Sequence, residues 1–125
     1  MVRIKRVYEP PARGDGYRVL VDRLWPRGIR KEALQHDAWL RDLAPSTELR
    51  KRLHGEPELF AEFEALYLKE LRSPQVQPLL EKLTRLAQRR TVTLLFAARD
   101  AEHNNAVVLA REINRRLERE STLGL

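Results

Sequence analysis

The amino-acid sequence predicts a small α/β domain of three layers, in which a short, partly parallel sheet is covered by helices. Three runs rich in β-branched and apolar residues stand at 2–8, 17–25 and 91–97, and only helix-forming sequence separates the second from the third. Val19-Leu20-Val21 is apolar at consecutive positions, as in a strand buried on both faces of a parallel sheet. A chain of 125 residues, 42% of them hydrophobic, suffices for one core and not for two, so a single domain over 1–125 is expected.

Val2-Arg3-Ile4-Lys5-Arg6-Val7-Tyr8 alternates apolar and basic residues, the period-two pattern of a strand with one buried face, and Pro10-Pro11 ends it. A turn cluster, Ala12 to Gly16, leads into the second strand, Tyr17 to Trp25, which Pro26-Arg27-Gly28 breaks. Lys31 to Leu43 reads as short helical turns around an interruption near Gln35-His36-Asp37. Ser46 is placed to cap a short helix whose first turn holds Glu48 and which stops near His54-Gly55. Pro57 opens a helix with Phe60, Phe63, Leu66, Tyr67 and Leu71 on its apolar stripe, ending before Pro74. The next helix turns Val76, Leu79, Leu80, Leu83 and Leu86 inward and ends at Arg89-Arg90. Thr91 to Ala97 is β-rich and apolar, a buried strand. Asp100 is the expected cap of a last helix marked by Ala106, Ala110, Ile113 and Leu117, with a frayed tail from Glu120 to Leu125.

The formal net charge is +6, and it is confined to one end: residues 1–31 hold nine cations against three acids, while the remainder is balanced. An anionic partner at that end follows, although solvated arginines on strands and loops give the same count. Nineteen of the 24 cations are arginine, a bias that suits bidentate grip on phosphate or carboxylate. The absence of cysteine excludes a disulfide framework, a thiolate nucleophile and a thiolate zinc site. No run of 18 apolar residues exists, and Met1 to Arg6 leads into no apolar signal segment, so a soluble, cytoplasmic protein without membrane attachment is expected.

Ligands of open α/β sheets bind beyond the carboxyl ends of parallel strands. Two segments fit that place. In Asp22-Arg23-Leu24-Trp25-Pro26-Arg27-Gly28 a carboxylate, two guanidiniums and an indole leave the core together. Arg23 and Arg27 can hold an anion, Trp25 can stack on a planar ligand, and Asp22 can orient an arginine or act as a base. The same residues equally suit an internal ion pair beside a core tryptophan. In Phe96 to Ala106 a buried strand runs through small residues into a helix start, where free N–H groups favour an anion. There His103 is expected on the inward helix stripe as a proton acceptor, Arg99 as an anion ligand, and Asn104 and Asn105 as orienting groups. The plainer alternative is that Asp100 caps and His103 bonds within the first turn. Ser46 and Arg50, at another helix start, are further ligand candidates, but no nucleophile elbow surrounds Ser46. No phosphate-binding loop, dinucleotide turn or His-Glu-x-x-His helix is present, and His36, His54 and His103 are too dispersed for a metal site, so no metal or cofactor is implied.

Taken in order, these segments resemble the YeaO-like branch of the domain-of-unknown-function family 488, from about Ile4 to Leu117. The resemblance is carried by Lys5-Arg6-Val7-Tyr8, by Asp15 to Gly28, by Ala44 to Arg50, by Phe63 with Tyr67 to Leu71, and by Thr93-Leu94-Leu95 through His103 to Leu109. It implies a compact α/β fold and brings no activity, substrate or cofactor with it. Some members read Asn-His-Ala where this chain has Asn104-Asn105-Ala106, so a role needing an imidazole at 105 is not expected here, and His103 is the residue nearest to supply one.

The leading expectation is a small-molecule-binding protein or enzyme for a phosphate- or carboxylate-bearing ligand such as a nucleotide. Arg23, Arg27 and Arg99 would hold the anion, Trp25 would stack, and Asp22 or His103 would move a proton. The first alternative is a nucleic-acid-binding module built on the basic first 31 residues, with aromatic interleaving only at Tyr8, Tyr17 and Trp25. A monomer and a structural, partner-binding homodimer both remain open; the latter would expose Trp25 or Trp39 in an apolar patch.

Overall fold

The computed structural model describes residues 1–53 and 56–123. Strands β1 (Val2–Arg6), β2 (Tyr17–Leu20), β3 (Ala38–Trp39) and β4 (Val92–Phe96) form one sheet in the order β1-β4-β2-β3, with every pairing parallel. Helices α1 (Thr47–Leu53), α2 (Phe60–Leu71) and α3 (Gln77–Arg89) lie between β3 and β4, and α4 (Asn105–Leu123) follows β4. The chain is thus a small α/β domain, as its strand and helix patterns predict.

β4 is central, and all five of its residues are buried, which is why its sequence is apolar at nearly every position. It pairs with β1 from Val2↔Val92 to Arg6↔Phe96 and with β2 from Tyr17↔Val92 to Leu20↔Leu95. Alternation sends Val92, Leu94 and Phe96, with Val2, Val19 and Val21, into the core that contains Tyr67, Leu80, Leu83, Leu109 and Ile113. On the other face Leu20 and Leu95 pack with Val7 and Leu34, flanked by Trp25, Ile29 and Trp39. The layers are therefore helices, sheet and irregular chain. Pro26 and Gly28 break the covering segment, and it has no helical period to turn it into a helix.

The connection from β1 back to β2 runs over that second face, because the hydroxyl of Thr93 in β4 donates to the Asp15 carbonyl and Asp15 itself bonds Lys5 and Arg18. Gly16, at φ 63°, turns the chain into β2 where a Cβ would stand 2.2 Å from the Thr91 carbonyl oxygen.

Several boundaries differ from expectation. β2 stops at Leu20, and the stretch expected to continue it to Trp25 leaves the sheet. β3 lies in the stretch expected to be helical turns; two residues are too short to show a period, and pairing alone holds them, with the Leu40 N–H reaching the Leu20 carbonyl at 2.9 Å. A single 3₁₀ turn at Pro57–Leu59 precedes α2. α4 begins at Asn105 with Asn104 as its cap, so His103 precedes the helix and is not on its stripe. The helix also continues over residues 120–123, where a frayed tail is expected from the sequence. The expected helix stop at His54-Gly55 lies outside the described residues, as do 124 and 125. No described helix is long and apolar enough to cross a membrane.

Candidate functional site

β2 and β4 are neighbours whose continuations part company: the chain leaving β2 enters the loop layer, and the chain leaving β4 enters α4 in the helical layer. Parallel strands that diverge in this way open a polar crevice at their carboxyl ends. Asp22 stands there. Its Oδ2 accepts the Ala97 N–H at 2.9 Å and its Oδ1 accepts the Asn105 amide at 3.2 Å, while the same amide donates to the Val21 carbonyl at 3.0 Å. The two candidate segments of the sequence therefore meet, through Asp22 from one and Asn105 from the other. Burial pushes the Asp22 carboxyl above its ordinary range, although the Ala97 N–H, the Asn105 amide and the nearby Arg50 charge oppose the shift.

Arg23 reaches from the same strand exit to the segment before α1, donating through Nε to Pro45 O at 3.1 Å and through Nη2 to Ala44 O at 3.3 Å. Ser46 caps α1: its Oγ accepts the Leu49 N–H at 3.2 Å and donates to Glu70 Oε2 at 2.7 Å, while its own N–H donates to Glu70 Oε1 at 2.8 Å. A serine so occupied is held as a cap. Tyr67, from the apolar stripe of α2, is fully buried and donates to the Leu43 carbonyl. Burial, reinforced by the charges of Asp22 and Glu70, raises its phenol and keeps it a neutral donor. Sequence reasoning does not bring Glu70 and Tyr67 to this site; their spacing of three on one helix face is the only signal that links them.

The remaining candidates are dispersed. His103 Nδ1 lies 2.9 Å from Asp100 Oδ2, and its ring stands edge-on to Phe60 at 5.2 Å. Asp100 Oδ1 accepts the Glu102 and His103 N–H groups; the Glu102 bond, followed by the His103 contact, holds this carboxyl below its ordinary range. Asn104 is buried, accepts the Val107 N–H at 3.0 Å and donates to Asp100 O at 2.8 Å. It is a helix cap. Trp25 donates to Ile29 O at 2.6 Å and packs edge-on against His36 and Trp39, at 5.4 and 5.3 Å, so its indole fills the loop layer. Trp39 is likewise half-buried and donates to Asp22 O at 2.7 Å. Arg27 and Arg99 are exposed.

Of the nine cations in residues 1–31, Arg3, Lys5 and Arg18 converge on Asp15, Arg6 donates to the Ala97 and Ala98 carbonyls, and Arg23 is tied as described. The basic end of the chain is to that extent turned inward. Two grooves, of about 630 and 430 Å³, lie beside α4 away from the carboxyl ends of the strands.

The shifted Asp22 carboxyl carries a stability prediction. Its folded pKa lies above the unfolded value, so the stabilisation it gives is complete below the unfolded pKa and is lost as pH rises through the folded one. Asp22→Asn removes that loss. Denaturant titrations from pH 4 to 8 should show the variant gaining on the parent as pH rises; a constant difference would mean that Asp22 does not titrate abnormally.

Geometrically this is a small parallel α/β protein with a half-buried carboxylate and arginines at the switch point of its sheet. The chain belongs to the inactive DUF488-N3 subclade, whose family model it matches over residues 1–124. It is 46% identical over 109 residues to the uncharacterized protein YeaO of Escherichia coli K12, covering 87% of this chain and 93% of that one. It is 44% identical over 115 residues to the uncharacterized protein Rv3073c of Mycobacterium tuberculosis, covering 92% and 95% of the two. The family resemblance carried by the strand-end segments is thereby established. No solved structure matches the chain.

Proposed function

We propose that the switch point binds a small molecule bearing a phosphate or carboxylate, and holds it without turning it over. The observation that carries this reading is that Arg23 and Arg50 accompany Asp22 with no carboxylate in ion-pair contact with either guanidinium among the described residues. Arg23 spends Nε and Nη2 on carbonyls, which fixes the guanidinium and leaves Nη1 for a ligand. Arg50 supplies an exposed second charge from α1, and Asp22 with Asn105 orients a ligand N–H or O–H. The word "inactive" in the family description agrees with binding alone, as does the occupation of Ser46 by capping.

Thermal melts with inorganic phosphate, nucleoside monophosphates and small dicarboxylates provide the test. A ligand at a hundredfold excess over its Kd stabilises by about 2.7 kcal/mol, a shift of several degrees for a domain of this size. Arg50→Gln should lose most of that shift, measured against the variant's own unliganded melting temperature. If none of these anions raises the parent's melting temperature, the proposal fails.

A further inference from the structure

We infer that the groove between α2, α3 and α4 is a second, separate binding site, and that it takes a small phosphomonoester. The groove has a volume of about 630 Å³ and is lined by Leu68, Leu71, Arg72, Gln77, Arg115 and Arg116, together with Glu112. Its place on α4, about ten residues beyond Asn105, sets it roughly 15 Å along the helix from the switch point.

Three guanidiniums face one carboxylate here, and their bonding is uneven. Arg115 grips Glu112 through Nε at 3.0 Å and Nη2 at 2.8 Å, while Arg116 uses Nε on Glu112 at 3.0 Å and Nη2 on Gln77 Oε1 at 3.3 Å. Gln77 is itself anchored through its amide to the Leu71 carbonyl. Glu112 and Gln77 thus hold two long side chains in place while Nη1 of each stays uncommitted among the described residues. Arg72, at the end of α2, has no side-chain hydrogen bond or ion pair among the described residues. Glu112, its side chain only 12% exposed, is already satisfied by Arg115 and Arg116, and Arg72 beside them leaves positive charge in excess. Arg115 and Arg116 are thus donors whose ordering cost is already met, and Arg72 adds a third charge beside them. A phosphate dianion supplies both the charge and enough acceptor oxygens for three separate guanidiniums, which a single carboxylate does not. Leu68 and Leu71 give the body of the ester an apolar wall.

The test is an NMR titration of the full-length protein with phenyl phosphate at constant ionic strength, following backbone amides and arginine Nε–H signals, with sodium chloride as the control. Saturable shifts are expected at Arg72, Gln77, Arg115 and Arg116. Arg72→Ala, a change at an exposed side chain, should weaken binding about tenfold. Arg50→Gln should leave these shifts intact, which separates this site from the switch point. Shifts that do not saturate, that chloride reproduces, that Arg72→Ala leaves unchanged or that are confined to Asp22 and Asn105 would overturn the assignment.

Discussion

Asp15→Ala is expected to lower stability by about 3–5 kcal/mol, a large part of what holds a domain of this size together. Asp15 is fully buried under the crossover from β1 to β2. Its carboxylate takes Lys5 Nζ at 3.0 and 3.1 Å, the Ala12 N–H at 3.0 Å and the Arg18 guanidinium, with Arg3 at 3.6 Å. Arg18 is almost as buried as Asp15, and its Nε is engaged at Gln35 O, so it cannot swing out to water when its partner is removed. Alanine would leave a buried cation unpaired and an N–H without an acceptor. Asp15→Asn keeps an acceptor and should cost less. Burial alone would raise this carboxyl, but the bonds from Ala12, Lys5 and Arg18 outweigh it and hold it below the ordinary range. A depressed folded pKa gives stability that is present above the unfolded value, about 3.9, and is lost as pH falls through the folded one. Urea titrations should therefore show the parent's advantage over Asp15→Asn shrinking below about pH 4. An Asp15→Ala protein as stable as the parent at pH 7 would show that Arg18 and Lys5 find other partners.

That cluster shows where the sequence stops being legible. β1 and β4 can be read directly, because alternation and a run of buried apolar residues leave a periodic trace. Asp15 leaves none: an aspartate between two glycines is ordinary turn chemistry. Lys5 and Arg18 become its partners only because β1 and β2 flank β4 with the same register, which places both side chains on one face. The switch point is half legible for a similar reason. Asp22 and Asn105 can be placed together although 83 residues separate them, since both follow strands that have to be neighbours. Trp25 is misread because the apolar run carries β2 five residues too far, and the alternation that assigns its face ends with the strand at Leu20. The cap of α4 is ambiguous locally, Asp100 and Asn104 being comparable capping residues. The turn at Glu102 and His103 takes up Asp100, and the helix then starts from the next available acceptor. Glu70 is a case no local rule reaches, a helix-surface acid whose partner is the start of another helix.

Gly16→Ala should be comparably damaging, with a loss of at least about 3 kcal/mol. At φ 63° and ψ −129° Gly16 lies outside the left-handed helical well, in backbone open essentially to glycine alone, which costs an L-residue about 1–3 kcal/mol by itself. The larger part comes from space: the new methyl would lie 2.2 Å from the Thr91 carbonyl oxygen and 2.9 Å from its carbon. That carbonyl cannot withdraw freely, because it accepts the Tyr17 N–H at 3.0 Å at the point where β2 begins to pair with β4. On the other side the Asp15 carbonyl is bonded to the Thr93 hydroxyl, so the crossover is held against β4 from both ends of the turn. Relief requires β2 to move, and with it Val19 and Leu20, both fully buried. Gly28 is the control without a close approach, since its φ is also positive, at 76°, and nothing stands within 4 Å of the methyl that alanine would add there. Gly28→Ala should cost only about 1–2 kcal/mol. Denaturant midpoints of the two variants measure the difference. Equal losses would mean that the β2–β4 junction yields to the methyl, and that the close approach at Thr91 does not fix where β2 enters the sheet.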